Sequence, residues 1–377
     1  MSLPAFVAHF ADLPDPRIER TKRHLLLDIL VIAFCAVLCG AEGWEEIERF
    51  GRAKREWFQH RLGLSLANGI PSDDTFRRVF ARLDTQAFSA CFRAWVATLR
   101  ALTDGEVIAL DGKTLRHSFD SACGQKPLHL VSAFACENQL VLGSVPVADK
   151  SNEITAAPAL LALPDLRGGI VTADALHCQK ALAAQIKAQG GEYVLALKDN
   201  HPHLQEDVAA CFAYQQAQRL PERVLDTHEQ IDYGHGRQER RRCVCLPLDP
   251  TDRDWQDAQQ QWAGLRCLVA IERERQIGAK VSRETHYFLA SLPLCARQMA
   301  RVLRQHWHIE NRLHYILDVV FDEDACRIRA DNAPANFALL RHTALNLLRQ
   351  EKSPMSLKAK QKQAGWDNDF LLRVLLT

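Results

Sequence analysis

Short runs of apolar residues alternate with helical patterns in the middle of the chain. The first run, residues 107–110, leads directly into Asp111, and residues 169–173 lead in the same way into Asp174. Apolar runs of this length are typical of buried strands. A lone acid after such a run is usually a turn residue, so its role depends on which groups lie near it.

The elements between residues 105 and 217 follow in the order three strands, helix, strand, helix, strand, helix. This order predicts a mixed sheet flanked by helices. It is the order of a ribonuclease H-like domain, in which the first and fourth strands are neighbours. Asp111 and Asp174 are therefore expected to meet at one sheet edge. The predicted strands are 107–110, 128–135, 140–147, 169–174 and 193–197, and the predicted helices are 153–163, 177–189 and 203–216.

The first hundred residues show helical patterns only. We predict an all-helical domain over residues 1–104 and a second domain over residues 105–377. Residues 1–24 contain three prolines and a basic cluster, which favours a solvated arm over one that touches a phosphate backbone. The predicted helices are 25–39, 44–62, 75–83 and 86–102.

Residues 218–293 interrupt the alternation, and we predict an all-β insertion there. The predicted strands are 224–231, 240–246, 265–272 and 286–292, with a hairpin turn at 233–237. Arg240 and Arg242 share one face of such a strand. They either contact phosphates or protect the strand edge from unwanted pairing.

Helical patterns return after residue 294. Residues 297–320 predict one long helix whose apolar stripe includes Trp307, and a final helix is predicted over residues 335–349. Glu310 lies within the long helix. Its neighbours in sequence include His306, His308 and His314.

Composition indicates an ordinary globular protein whose formal net charge is only +1 over 377 residues. A nucleic-acid surface must therefore be a local patch. The 12 cysteines form no C-x-x-C pair, which argues against structural zinc and favours reduced thiols in a cytoplasm. The first ten residues lack a basic region, so no signal peptide is expected. Residues 29–41 are too short an apolar run to span a bilayer.

Three acids on separate segments, Asp111, Asp174 and Glu310, are candidate metal ligands. Hard oxygen ligands suit Mg²⁺ or Mn²⁺, and a pair of such ions supports phosphoryl transfer.

Two other interpretations remain open for the third acid. Glu310 can instead form a surface ion pair with Arg304 or Arg312, and the acids at 322–324 compete for its role.

Several motifs occur together in an order that is more specific than any one of them. They are ALDGKTLR at 109–116, GQKPLHLVSAF at 124–134, KSNEI at 150–154, TADALHCQK at 172–180, LALKDN at 195–200 and HWHIEN at 306–311. Further matches lie at 51–54, 70–76, 332–336 and 345–348. With these motifs the chain resembles the H-repeat-associated insertion-sequence transposases.

The resemblance implies a DDE transposase with a ribonuclease H-like core, preceded by a helical transposase-associated domain that binds DNA. Asp111, Asp174 and Glu310 match the first, second and third acids of the family, which hold two Mg²⁺ or Mn²⁺ ions. The implied partners are double-stranded DNA, as element ends and target, and further copies of the chain. The implied place is the bacterial cytoplasm, at the nucleoid when DNA is bound.

The chain departs from the related insertion-sequence pattern at two places. Leu303, His306 and Leu317 stand where a Tyr, an Arg and a Lys are expected around the last acid. Asn200 is followed by a His instead of a Gln.

Polar residues close to the core strands or on the basic hairpin are candidate DNA contacts, although each is also an ordinary surface residue type. They are Lys113, Lys150, Asn152, Lys198, Asn200, Arg240, Arg242 and His308. Two other functions stay open, an inactive transposase-derived DNA-binding protein and a metal-dependent nuclease without strand transfer.

Overall fold

The structure is a computed structural model of the whole chain. It describes residues 4–99, 104–119, 124, 126–147, 153–161, 166–217, 225–234, 236–249 and 253–377.

A nine-stranded mixed sheet forms the centre of the molecule, in the order β3-β2-β1-β4-β5-β9-β8-β7-β6. Strands β1 and β2 pair antiparallel, whereas β1 and β4 pair in parallel, which confirms that the first and fourth strands are neighbours. The first five strands are β1 (Glu106–Thr114), β2 (His129–Ala135), β3 (Leu140–Val147), β4 (Gly169–Ala173) and β5 (Glu192–Leu197). The helices among them are α7 (Glu153–Leu160), α8 (Lys180–Ala188) and α9 (Pro202–Ala217).

The insertion extends this same sheet, because its last strand pairs with β5. Its strands are β6 (Asp226–Gly234), β7 (Arg237–Pro247), β8 (Cys267–Ile277) and β9 (Lys280–Ala290). The prediction of an all-β insertion is wrong in one respect, since a helix, α10 (Arg253–Gln261), connects β7 to β8. This segment buries Trp255 and Trp262, which are seven residues apart and so lie on one helical face.

The N-terminal helices pack around α2, which is apolar on all sides and almost wholly buried. They are α1 (Ala5–Ala8), α2 (Leu26–Leu38), α3 (Trp44–Ala53), α4 (Arg55–Leu62), α5 (Asp73–Arg82) and α6 (Thr85–Leu99). The predicted helix over residues 44–62 breaks at Lys54, whose ammonium bonds the Asn368 side chain at 2.5 Å.

The prediction of a solvated N-terminal arm is wrong for its first part. Phe6 and Phe10 are buried, and both rings contact Phe34 of α2 at centroid distances of 5.5 and 5.0 Å. Burial of these large aromatic surfaces stabilises the docked arm despite its prolines.

The C-terminal helices join the helical region to the sheet. They are α11 (Ala296–His306), α12 (Tyr315–Phe321), α13 (Ala333–Gln350), α14 (Leu357–Trp366) and α15 (Asn368–Leu375). The buried helix α13 contacts α2, α5, α6 and β3. Its Asn336 amide donates to the Phe80 and Leu83 carbonyls, and its Asn346 amide exchanges two 2.9 Å bonds with the Val141 backbone. One hydrophobic core therefore runs through both parts of the chain.

Every cysteine within the described residues is free. Burial raises the pKa of Cys39 to about 12, and that of Cys178 likewise to about 12. Protonated thiols of this kind are poor metal ligands and poor nucleophiles.

No helix within the described ranges has the length and apolar character that a membrane crossing requires.

Candidate active site

Asp111 and Asp174 lie next to each other on neighbouring parallel strands. The register pairs Leu110 of β1 with Ala173 of β4, and the two acids are the next residues along. Asp111 also pairs with Ser132 of β2, so it is part of the sheet and not a turn residue. Asp174 instead follows its strand and opens a short 3₁₀ helix, where its carboxylate accepts the His177 amide hydrogen at 3.3 Å.

Glu310 is carried by a π-helical segment, Ile309–His314, between α11 and α12. The prediction of one long helix over residues 297–320 is therefore wrong. Single π turns occur mostly at functional sites, because the wider turn changes the direction of side chains. Trp307 was expected in the apolar stripe but is 61% exposed. It lies two residues before the buried Ile309, and residues at that spacing do not share a helix face.

His314 completes a compact group with Asp111 and Glu310. Its Nδ1 lies 3.4 Å from Glu310 Oε2 and 3.6 Å from Asp111 Oδ2. One possible ligand atom from each of the three residues lies within 4.8 Å of the other two. The sequence placed His314 near Glu310 without giving it a role. Its i, i+4 spacing from Glu310 was the signal that pointed to it.

The electrostatics of the site favour a bound cation. The pKa of Asp111 is raised to about 6. Burial is the main cause and the charges of Glu310 and Asp174 add to it, whereas His314 and the Gly112 amide act in the opposite direction. The hydrogen bond from His314 lowers the pKa of Glu310. The negative charges of Asp111, Glu310 and Asp174 repel one another, and a bound divalent ion would remove that repulsion.

Glu323, the rival for the third acid, belongs to a separate buried ion cluster. Its side chain is 1% exposed and lies 3.0 Å from Lys113 Nζ and 3.9 Å from Arg341 Nη1. Burial alone raises the pKa of Glu323, but Lys113 and Arg341 outweigh that effect and lower it. Asp318 also pairs with Lys113. Glu323 is therefore neutralised by two basic side chains, and it is not part of the group formed by Asp111, Glu310 and His314.

Lys113 is placed differently from its prediction as a DNA contact. Its side chain is only 12% exposed, and the ammonium is held by Asp318 and Glu323. Because two carboxylates already neutralise the Lys113 ammonium, its charge is not available to a phosphate. This placement joins the end of β1 to the segment that follows Glu310.

Glu310 also lacks the arginine partners that a simple surface ion pair would use. Arg304 pairs with Asp232 at 2.9 Å. Within the described part of the chain, Glu310 forms its ion pair with His314 and none with Arg304 or Arg312. This arrangement favours the metal-ligand interpretation of Glu310.

Three side chains hold the segment around Asp174. Asn200, a predicted DNA contact, donates its amide to the Ala175 carbonyl instead, and His201 Nε2 lies 2.7 Å from the Cys178 carbonyl. His306 lies 3.0 Å from the Thr172 hydroxyl, and burial lowers its pKa to about 4. No local pattern pointed to these contacts, because they join residues that are 23 to 134 positions apart in the chain.

Arg240 and Arg242 form cross-strand ion pairs on the insertion. Arg240 lies 2.7 Å from Glu229, and Arg242 lies 3.4 Å from Glu272. Both arginines remain partly exposed. Because β7 pairs with β6 on one side and with β8 on the other, these arginines do not protect a strand edge. Their ion pairs instead connect neighbouring strands of the sheet.

The remaining predicted DNA contacts are less constrained. Lys198 is 68% exposed and lies 3.7 Å from Asp199. His308 Nδ1 is buried and has no hydrogen-bond partner within the described part of the chain, and burial lowers the pKa of this ring. Lys150 and Asn152 lie outside the described residues.

Comparison with known families decides the class of protein. Residues 102–347, which contain all three acids, match the family profile described as "Transposase DDE domain". The chain belongs to the DDE transposase family. Residues 7–96 match the accompanying profile, "DDE_Tnp_1-associated". The transposase domain implies a ribonuclease H-like fold, in agreement with the observed order of β1 to β5.

Relatives of this transposase extend over its full length. It is 38% identical to "H repeat-associated putative transposase YhhI" of Escherichia coli strain K12, over 100% of this chain and 98% of the relative. It is also 38% identical to "Putative transposase YncI" of Escherichia coli O157:H7, over 100% of this chain and 95% of the relative. A short relative, "Inactive transposase YbfQ" of strain K12, is 42% identical over 22% of this chain and 95% of its own length.

Proposed function

We propose that the chain cleaves DNA at the ends of an insertion-sequence element and joins them to target DNA, with Asp111, Asp174 and Glu310 as catalytic metal ligands. The observation that carries this proposal is the convergence of Glu310 on Asp111, with Asp174 beside Asp111 on the adjacent parallel strand. Among the competing acids at 322–324, Glu323 is held by Lys113 and Arg341, and Asp324 lies 3.4 Å from Arg116.

The residues present fit divalent ions. Carboxylate oxygens are the ligands that Mg²⁺ and Mn²⁺ prefer, and three carboxylates leave positions open for water and phosphate oxygens. Two such ions, when bound, increase the acidity of an attacking water or 3′-hydroxyl and stabilise the departing oxygen.

The protein itself holds the acids of the site in position. Asp111 is fixed because β1 is hydrogen-bonded to β2 on one side and to β4 on the other. Asn200 and His201 fix the segment that follows Asp174. The Glu310 side chain is 51% exposed, so this edge of the site is open to a substrate as large as a DNA duplex.

The proposal includes the rest of the chain. Residues 1–104 form the domain that binds element ends, residues 105–377 form the catalytic domain, and two or more copies assemble on DNA at the nucleoid of a bacterial cytoplasm. Lys198 is a candidate DNA contact of the catalytic domain, because its exposed ammonium follows β5 at the same end of the parallel strands as Asp174.

A matched pair of variants tests the assignment of the third acid. The substrate is a duplex carrying the inverted repeats that flank the gene, incubated with purified protein and Mg²⁺. We expect Glu310→Gln, Asp111→Asn and Asp174→Asn to lose nicking by about 100-fold or more while they keep their fold. Glu323→Gln is the control, with lower stability but retained nicking below its unfolding temperature.

The same assay separates the other two functions. DNA binding without nicking by the wild-type protein, in Mg²⁺ and in Mn²⁺, would indicate an inactive DNA-binding protein. Nicking without any product joined to target DNA would indicate a nuclease. Full activity of Glu310→Gln would refute the proposed site.

A further inference from the structure

His314 is the buried nitrogen donor that faces the two carboxylates of the site. Its side chain is 6% exposed, and Nδ1 lies between Glu310 Oε2 and Asp111 Oδ2 at 3.4 and 3.6 Å. Its other nitrogen, Nε2, is buried and has no hydrogen-bond partner among the described residues. Because an unsatisfied buried nitrogen is costly, the contacts of Nδ1 must account for the position of this ring.

These distances are close to the spacing of ligands around a single ion. Ligand atoms about 2.1 Å from a metal, at tetrahedral or right-angled positions, are about 3.0 to 3.4 Å apart. The distance from His314 Nδ1 to Glu310 Oε2 is 3.4 Å and that to Asp111 Oδ2 is 3.6 Å. All three ligand atoms lie within 4.8 Å of one another, so small side-chain movements would let them bind one ion. Asp174 lies outside this group, with its carboxylate on the His177 amide.

We propose that His314 Nδ1 is a third protein ligand of the ion held by Asp111 and Glu310. In the metal-bound form the proton that Nδ1 donates to Glu310 moves to Nε2, which leaves the Nδ1 lone pair free for the metal. This proposal rests on the proposed function. It gives the two metal positions of the site different sets of protein ligands. One position has two carboxylates and an imidazole, whereas the other has the oxygens of Asp111 and Asp174 alone.

The unequal ligand sets predict unequal metal preference. Imidazole suits transition ions, and Mg²⁺ binds almost entirely through oxygen. The His314 position therefore selects Mn²⁺ over Mg²⁺, and the all-oxygen position accepts either ion.

Electron spin-echo spectroscopy of bound Mn²⁺ tests the proposal, because it detects a nitrogen ligand directly. Full-length protein is titrated with Mn²⁺ and, in separate samples, with Mg²⁺, in the presence of the terminal-repeat duplex. We expect a directly coordinated ¹⁴N signal in the wild type. His314→Asn should remove the signal and weaken Mn²⁺ binding about tenfold or more, with less than a twofold change for Mg²⁺.

A second substitution keeps the test independent of any folding defect. In His314→Asp a carboxylate oxygen takes the place of Nδ1, so this variant should still bind metal but lose the nitrogen signal and the preference for Mn²⁺. His286→Asn is the matched control, since His286 is a half-exposed histidine of β9 that lies outside the group of ligand atoms, and it should behave as wild type.

The outcomes separate this proposal from the proposed function. A wild-type protein that nicks DNA but shows no nitrogen signal refutes the role of His314 alone. Equal losses of Mn²⁺ and Mg²⁺ binding in His314→Asn would also refute it, because they indicate a structural role. A wild type that neither binds metal nor nicks DNA overturns both.

Discussion

Replacement of Lys113 by methionine should destabilise the protein through the carboxylates that it leaves behind. Lys113 is 12% exposed and Glu323 is 1% exposed, so the pair is shielded from water. The pKa of Glu323 is lowered, and this group therefore remains charged at neutral pH. Methionine keeps the apolar stem of the lysine and removes only its charge and its hydrogen bonds.

The expected loss of stability is about 3 kcal/mol. Removal of one partner from a buried ion pair typically costs about 3 to 5 kcal/mol. The lower end of this range applies to Lys113→Met because Arg341 still lies 3.9 Å from Glu323, and because Asp318 is 34% exposed and so remains in contact with water. With about 2.1 cal/mol/K of unfolding entropy per residue, a 377-residue chain that unfolds as one unit would lose about 4 °C in Tm.

Differential scanning fluorimetry at pH 7.5 and one scan rate is the assay. Lys198→Met removes an exposed lysine and should change Tm by less than about 1 °C. The double variant Lys113→Met/Glu323→Gln should recover part of the loss, because Glu323 is no longer a buried charge without Lys113, while Arg341 loses its carboxylate partner. A Tm for Lys113→Met within 1 °C of wild type, or a double variant less stable than the single one, would refute this reasoning.

Three further predictions concern other parts of the molecule. In metal-free protein, Asp111→Asn should be more stable than wild type by about 3 kcal/mol above pH 6, and this difference should vanish towards pH 4. The reason is that the pKa of Asp111 in the folded protein, about 6, exceeds the usual 3.8, so ionisation of Asp111 destabilises the native state as the pH rises. Urea denaturation at pH 4.5 and 7.5 checks this, and an equal difference at both pH values contradicts it. In Asn200→Asp the side chain cannot donate to the Ala175 carbonyl, and the initial nicking rate should fall about tenfold. Asp199→Asn, at an exposed position, is the control. An unchanged nicking rate in Asn200→Asp would contradict a positioning role for Asn200. Phe6→Ala should lower the free energy of unfolding by about 3 kcal/mol, because it leaves a cavity beside Phe34. The expected decrease in Tm is about 4 °C. A decrease in Tm below about 1 °C would mean that the N-terminal arm is not docked.

The centre of the sheet was predictable because its signals are local and strong. Strand β1 is a continuous apolar run, and such runs indicate a strand covered on both faces. The order of elements then indicated that β1 and β4 are neighbours, which placed Asp111 beside Asp174. Burial of α2 was predictable for the same reason, since apolar residues occupy all of its sides.

The rest depends on contacts between distant parts of the chain. The arm looked solvated because prolines and basic residues dominate it, yet Phe6 docks on a helix that follows it by some twenty residues. The π turn at Glu310 has no marker in single-sequence patterns, so its residues were assigned to an ordinary helix. Lys113 was taken as a surface residue because its partners, Asp318 and Glu323, lie about two hundred residues away.

The joining of the insertion to β5 has a consequence for how this protein can change during evolution. The Asn346 amide covers the β3 edge of the sheet, and β6 forms the opposite edge. Strands gained or lost beyond β5 lie on the far side from β1, so they leave the register of β1 and β4 unaltered. Complete loss of β6 to β9 would instead expose β5 as an unprotected edge open to aggregation. The outer strands β6 and β7 can change without altering the register of β1 and β4, but they also support α11, which leads to Glu310. Strand β9 has the separate effect of covering β5 and so opposing self-association.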